Sequence, residues 1–277
     1  MTVQGEKPYD LQRLEQRARP LTLHHARVTE STNDWAKREM QAGGVQTPAL
    51  FVADSQTAGR GRRGNAWWSP RGNIAATFAF SHDPHLAFGL LPLLAGLAVR
   101  RALADLSASE EIGLKWPNDL IARQRKVAGL LCERLQGVDL LGIGVNVNAQ
   151  TCDAPTELRG RIIALRELSG KTFDLTDTLV AIGQQLRRAV GVESESAARE
   201  MLAEYSHHHW PTGKNIEVID TDRAPLVRGR CGGVDAQGRL VVTAGQQTHA
   251  LLTGSIVSVS SAPGSGEDGH HEAWRRL

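Results

Sequence analysis

The 277-residue sequence predicts an α+β fold, a central mixed or antiparallel sheet flanked by helices, with a small β-barrel appended at its C-terminal side. Three observations carry this. Between residues 111 and 148, four β-like runs follow one another through turns too short to hold the crossover helices of a doubly wound parallel sheet. Helical texture then takes over as far as Trp210. From Pro211 short β-like runs with turn residues return over about fifty residues.

Taken in order, residues 1–19 are polar and aperiodic and are expected to form a weakly ordered N-terminal extension. The main domain is placed at 20–210. LTLHHARV alternates as a strand does, and STNDWAKREMQAGG reads as a helix capped by Ser31 or Thr32 and stopped by Gly43-Gly44. ALFVAD and NIAATFAF are β-rich, and His85–Leu106 is apolar enough for a buried helix that Pro92 kinks or starts. The four β-runs are EIGLKWP, NDLIAR, KVAGLLCERL and LLGIGVNVN. Helices are expected at LRGRIIALREL, DLTDTLVAIGQQLRRAV and ESAAREMLAEYSHHHW. The barrel, 211–262, is built from KNIEVID, LVRGRCGGVD, GRLVVTA and SIVSVS, and residues 263–277 are a flexible tail.

With 32 basic and 30 acidic residues the net charge is +2, so the global field points to neither nucleic acid nor a membrane surface. Three scattered cysteines without a CxxC pair argue against a disulfide framework and a cysteine zinc site. No secretory signal pattern opens the chain, and the longest apolar run, Ala87–Val99, is too short for a bilayer; a cytoplasmic protein is expected. Contiguous His207, His208 and His209 cannot converge on one ion as helical i, i+4 ligands can, so no metal site is assigned.

GRGRRG, residues 59–64, fits G-x-G-x-x-G, yet a dinucleotide fingerprint needs a helix opening at the third glycine, and NAWWSPRG cannot supply one. Arginines beside Trp67 and Trp68 could hold a single strand, although one patch on a near-neutral chain is a small footprint. A third reading is a mobile loop closing over a small anionic ligand, in which glycines admit the ligand, arginines fork onto carboxylate or phosphate and a tryptophan covers a flat ring. Three other stretches stand out. LKWPNDL sets a lysine, an amide and a carboxylate around a proline turn; RQRKVAGLL puts Lys126 at a strand head before Gly129; GIGVNVN ends a strand with Asn146 and Asn148 on one face. Singly, each is equally an ordinary turn, a solvated lysine or a strand end.

Together and in this order, STN, QTAGRGRRGNAWWSP, KWPND, RKVAGLL and GVNVN resemble biotin protein ligases, over roughly residues 21–260. The resemblance implies a catalytic domain of the class II aminoacyl-tRNA synthetase and lipoate ligase kind, followed by an SH3-like barrel. It implies that biotin and ATP, with Mg²⁺, form biotinyl-5'-AMP, and that a lysine of a biotin carboxyl carrier domain then displaces AMP. Joining two anions needs cationic neutralisation, and a mixed anhydride needs shelter from water.

By that resemblance Ser31, Thr32, Asn33, Gln56, Arg60, Gly61 and Gly129 bind biotin. Arg62 and Lys126 stand at the carboxylate and α-phosphate, with Lys126 the main charge-stabilising group. Arg63, Trp67, Lys115, Asn118, Asp119 and Asn146 lie on the nucleotide side, Asn148 less directly, and Asp119 also receives the acceptor amine. Relatives with repressor activity carry an N-terminal helix-turn-helix; twenty residues before the main domain cannot hold one, so sequence-specific DNA binding is not expected. A monomer or a homodimer fits equally. The competing readings are a lipoate or octanoyl ligase or transferase of the same fold, and a non-catalytic biotin or nucleotide sensor.

Overall fold

The structure, a computed structural model, describes residues 8–190, 195–260 and 272–273. Its core is a seven-stranded sheet in the order β1-β2-β3-β7-β6-β5-β4. The strands are β1 (Thr22–Thr29), β2 (Ala49–Gln56), β3 (Ile74–Ser81), β4 (Gly113–Lys115), β5 (Asp119–Ala122), β6 (Arg125–Leu135) and β7 (Val138–Val145). Only β1 and β2 pair in parallel, joined by the crossover helix α2 (Thr32–Gln41); every other pairing is antiparallel, so the sheet is mixed. The last three strands of the chain segment, β5, β6 and β7, are joined by two-residue turns whose residues take positive φ, Arg123 and Gln124 in one and Gln136 and Gly137 in the other. That hand of turn matches the twist of paired strands.

Strand periodicity assigns the two faces. Leu50, Val52, Phe78, Leu130, Leu141, Ile143 and Val145 point into the larger core. There they meet α3 (Leu91–Ser107) and α5 (Leu175–Val190), with α6 (Glu195–His207) behind α3. Pro92 lies in the first turn of α3, where its missing N–H costs nothing, so the helix starts there and not at His85. Ala49, Phe51, Ala79 and Leu140 point the other way, against Ala36, Trp35 and Met40 of α2. On this second face the strands also carry Thr77, Gly129, Leu131, Gly142 and Gly144, a floor largely stripped of side chains.

Several expectations are corrected. Part of the supposed extension is a helix, α1 (Leu11–Arg17), capped by Asp10, with Tyr9, Leu14 and Ala18 buried in the core. Arg13 and Arg17 pair with Asp174 and Asp177 of the α5 region, and the Asp10 N–H donates to Thr176 Oγ1 at 3.0 Å. The stretch LRGRIIALREL is helical only over α4 (Leu165–Ser169), because the backbone of Arg161 and Ile163 is bonded to Lys126 and cannot serve a helix. LLGIGVNVN leaves the sheet at Val145, so Asn146 and Asn148 are loop residues.

The C-terminal unit is a six-stranded antiparallel sheet in the order β11-β10-β9-β8-β12-β13. It comprises β8 (Asn215–Ile219), β9 (Pro225–Val234), β10 (Leu240–Ala244), β11 (Gln247–Leu251), β12 (Ser255–Ser260) and β13 (Glu272–Ala273). QTHAL, which forms β11, is too polar and exposed to announce a strand, and Glu272–Ala273 pair with β12 where only a flexible tail was expected. The rest of that tail lies outside the described residues.

The buried N-terminal clasp predicts that Leu14→Ala, which empties a fully buried site, lowers unfolding free energy by about 2–4 kcal/mol in urea titrations. A loss below about 0.5 kcal/mol would restore the view of residues 8–19 as a loose extension.

Candidate functional site

Two adjoining rows of the sheet build the site. One row runs Asp119, Gly129, Gly144, Ala75 across β5, β6, β7 and β3; the next runs Leu131, Gly142, Thr77. The missing side chains are filled by others folded in from outside. A Cβ on Gly144 would overlap the Trp67 indole, one on Gly142 would overlap the Asn33 amide, and one on Gly129 would lie 2.9 Å from Lys126 Cε and 3.3 Å from Trp67. Lys126 Nζ sits 5.5 Å from the Trp67 ring centre, within cation–π range.

Over this floor lies a narrow polar cavity of about 80 Å³. Its lining brings together Ser31, Thr32, Asn33, Gln56, Arg60, Gly61, Arg62, Arg63, Trp67, Asn118, Asp119, Lys126 and Gly129, residues drawn from five separate sequence segments. Ser31 caps α2, and its first turn delivers Thr32 and Asn33, both nearly fully buried. The GRGRRG loop is folded back by a bridge between Arg60 and Ala66, and the Trp67 N–H donates to the Gly59 carbonyl at 2.8 Å. Arg63 holds the left-handed conformation, φ 59°, which costs free energy in a non-glycine residue. Arg60 Nε donates to Asp34 Oδ2 at 2.8 Å, so this arginine is tied to α2.

A second chamber of about 350 Å³ opens beside the first, between the main sheet and the C-terminal unit. Lys115, Trp116 and Pro117 line it from one side, and Glu217, Ile219, Arg223 and Ile256 from the other. Arg63, Asn65, Asn118, Asp119 and Ser255 border both spaces. Asn118 is braced by donating to the Leu130 carbonyl at 2.7 Å, and it accepts from Arg62 at 3.3 Å.

The electrostatics follow from burial. Lys126 Nζ and Asp119 Oδ1 are 2.7 Å apart, a mostly buried ion pair at the junction of the two spaces. Lys115 is 5% exposed; desolvation pushes its ammonium down to about 8, the Asp119 charge opposing this and the Lys126 charge adding to it. Burial also lowers the pKa of Arg62, helped by Arg63 and resisted by Asp119. Trp67 Nε1 and Arg63 Nε and Nη2 are buried donors with no hydrogen-bond partner among the described residues, as sites awaiting an acceptor are.

Two expected contacts lie elsewhere. Asn146 lines neither space: it is 2% exposed, accepts from Asn73 Nδ2 at 3.1 Å and donates to the Lys126 carbonyl at 3.2 Å. Asn148 fastens the Phe173 backbone through bonds of 2.7 and 3.0 Å. Both brace loops behind the site. Conversely, Thr77, Gly142, Gly144, Asn65 and Ser255 were not singled out from sequence; the alternate glycines of GIG, which fall on one strand face, were the available signal.

The turn carrying Asn118 and Asp119 is held from the C-terminal side. After α6, residues 208–210 bond to the β4 edge, His208 O accepting from Leu114 N–H and Trp210 N–H donating to Leu114 O. His209 is fully buried; its Nε2 accepts the Trp116 N–H at 3.3 Å, which leaves Nδ1 to carry the proton toward Thr212 Oγ1 at 2.9 Å. Trp116 Nε1 donates to the Gly238 carbonyl of the C-terminal unit at 3.1 Å. His209 is thus held by structural bonds at both ring nitrogens, and among the described residues no group of three or more His, Cys, Asp or Glu is placed to hold a metal ion. Among the described residues no helix is long and apolar enough to cross a membrane.

The sequence profile described as the biotin/lipoate A/B protein ligase family matches residues 25–149. The biotin–[acetyl-CoA-carboxylase] ligase of Mycobacterium tuberculosis is 32% identical over 234 residues, 83% of this chain and 86% of that protein. The bifunctional ligase/repressor BirA of Escherichia coli is 28% identical over 224 residues, 78% of this chain and 67% of that protein. A solved structure of biotin protein ligase from Aquifex aeolicus in complex with biotin and ATP superposes with a TM-score of 0.76 at 26% identity, covering 85% of this chain and 97% of that one.

Burial drives the His209 imidazole down to about 3, so the folded state holds it neutral while the unfolded chain protonates it near 6.5. Stability from this group is present above that value and is lost as pH falls, by about 2 kcal/mol at pH 5. Wild type should therefore lose more stability between pH 7 and pH 5 than His209→Gln, read from denaturant midpoints. Separately, Gly144→Ala should displace Trp67 and weaken ligand binding about tenfold or more in calorimetry, with the fold retained in circular dichroism.

Proposed function

Because the chain belongs to the biotin protein ligase family, we propose that it is an ATP-dependent ligase that activates biotin as biotinyl-5'-AMP and passes the biotinyl group to a lysine of a biotin carboxyl carrier domain. The observation that carries this reading is the convergence, over one glycine floor, of the α2 polar turn, the arginine loop and Lys126.

In the proposed chemistry, the urea end of biotin lies against Ser31, Thr32, Asn33 and Gln56, and its chain runs over Gly129 and Gly144; Trp67, expected on the nucleotide side, lines the narrow cavity and not the wider chamber, so it would cover this chain. The carboxylate then arrives at Lys126 and Arg62, and the nucleotide occupies the wider chamber next to Lys115, Asn118, Asp119 and Arg63. A carboxylate oxygen attacks the α-phosphorus and pyrophosphate departs. Both reactants are anions, so the lysine and arginine charges offset their repulsion and the negative charge that builds at phosphorus. The buried, unpartnered donors of Arg63 suit a phosphate oxygen. Magnesium would add charge neutralisation to the triphosphate. A carboxylate on the chamber wall would help hold it beside the phosphate oxygens, and Glu217 would supply one without a dedicated protein cage.

In the transfer step the acceptor amine, as the free base, attacks the acyl carbon; the acyl–phosphate oxygen bond breaks, AMP leaves, and the nitrogen gives up a proton. Asp119 is placed to orient the amine and accept that proton. The loop 57–68 would keep water from the anhydride. A cytoplasmic setting, where ATP and carboxylases meet, accompanies this reading.

Purified protein with biotin, ATP and Mg²⁺ is expected to exchange pyrophosphate and to label a carrier domain; inactivity in both assays would refute the assignment. Lys126→Ala should lower the exchange rate by about a hundredfold or more. An unchanged rate would remove the role assigned to that lysine.

A further inference from the structure

Behind the α2 turn, a chain of hydrogen bonds, buried at Thr77 and part-buried beyond Asn33, runs from the cavity to Glu133 and Lys37, neither of which lines it. Asn33 Nδ2 has two hydrogens. One is donated to the Leu131 carbonyl at 3.1 Å and the other to Glu133 Oε2 at 2.8 Å, both pure acceptors. The Asn33 Oδ1 must therefore accept, and it takes the Thr77 hydroxyl hydrogen at 2.6 Å. Thr77 is fully buried and has no second hydrogen to give. The Thr32 hydroxyl lies 2.9 Å from Thr77 Oγ1 and 3.2 Å from Gln56 Oε1, so its own hydrogen is spent on one of those two oxygens. In either case Thr32 Oγ1 faces the cavity as an acceptor.

The neighbours complete the pattern. Gln56 Oε1 also receives the Thr32 backbone N–H at 2.8 Å, which turns its amide nitrogen away from Thr32 as a donor. Ser31 Oγ accepts the Asp34 N–H at 3.5 Å and keeps its hydrogen for the cavity. This end of the cavity thus presents an acceptor, Thr32 Oγ1, with a donor, the Ser31 hydroxyl, beside it, the complement of an –NH–CO– edge such as one side of a cyclic urea offers.

We infer that Glu133 and Thr77 are positioning residues that set the direction of this relay, and through it make the cavity select a cyclic urea. The inference rests on the biotin reading above. Lys37 Nζ bonds the other Glu133 oxygen, which holds the carboxylate in place and makes its role more than a neutral acceptor's. In Glu133→Gln, the new amide meets Lys37 best through its oxygen. Its nitrogen then turns on Asn33 as a donor. Asn33 must either face it donor to donor or rotate and set its oxygen against the Leu131 carbonyl. Either arrangement breaks the relay, and the rotated one hands a hydrogen down through Thr77 and Thr32 toward the ligand.

The test is calorimetric titration of full-length wild type, Glu133→Gln, Thr77→Val and Thr77→Ser with biotin, with dethiobiotin, which keeps the urea and lacks the sulfur ring, and with a non-hydrolysable ATP analogue. Glu133→Gln and Thr77→Val should each weaken biotin and dethiobiotin alike by about tenfold or more, with the affinity for the analogue unchanged. Thr77→Ser, which retains the hydroxyl, should bind biotin within about twofold of wild type. Equal biotin affinity in wild type and Glu133→Gln overturns the relay, and so does an equal loss of the ATP analogue, which would mark a merely structural role. Wild type that binds neither biotin nor dethiobiotin overturns the ligand reading itself, a different and recognisable failure.

Discussion

Everything at the site leans on the removal of side chains from one patch of a β-sheet. Glycines at 129, 142 and 144 lower the floor by a residue's depth, and the α2 turn, the arginine loop and the head of β6 each send a side chain into the space. A strand interior loses stability from glycine, because the backbone is freer when unfolded and nothing packs in its place. Here the lost packing is returned by Trp67, Asn33 and the Lys126 stem, which are tied to other elements. The patch consequently converts three distant segments into one rigid surface, with the charged groups at its edge and the neutral polar groups at its closed end.

The part of this that could be read from the chain was the part whose signal is local. Ser31 as cap, Pro92 in a first turn and the short hairpins between 119 and 145 are each decided by a few neighbouring residues, and the structure places them as the pattern indicated. The segments STN, GRGRRG, KWPND and RKVAGLL do converge. What stayed hidden was decided by partners far away in sequence. The helix at Leu11–Arg17 offers little apolar periodicity of its own and is retained by Asp174 and Asp177, more than 150 residues on. LRGRIIALREL has the composition of a helix, yet Lys126 claims its backbone. Asn146 is placed on the nucleotide side by the resemblance alone. Its actual work is to hold the Lys126 backbone, which no one-dimensional pattern distinguishes from binding. Thr77 is the opposite case: one hydroxyl in IAATFAF is easily passed over in a strand.

The C-terminal unit is joined to the turn carrying Asn118 and Asp119 by more than a linker. Trp116 is held at its backbone by His209 and at its ring by Gly238, so the residue next to the Pro117 turn is fixed from both sides. A buried neutral imidazole in this position is a low-tolerance device: both nitrogens are used, and a proton added to Nε2 would face an N–H. The position of Asn118 and Asp119 therefore depends on residues from outside the seven-stranded sheet, and the wider chamber exists only because the two units are held together.

The ion pair between Lys126 and Asp119 has a bearing on sequence of events. In the unliganded site each group is the other's counterion, and an anion arriving at the Nζ would draw on the same positive charge. The carboxylate of Asp119 is released in proportion as the lysine is taken. In the proposed reaction the aspartate would therefore be least available in the empty site, where it accepts from Lys126, and most available once an acyl group is seated. On the proposed reading the pair would act as an interlock, in which occupancy by the first reactant frees the group that meets the second.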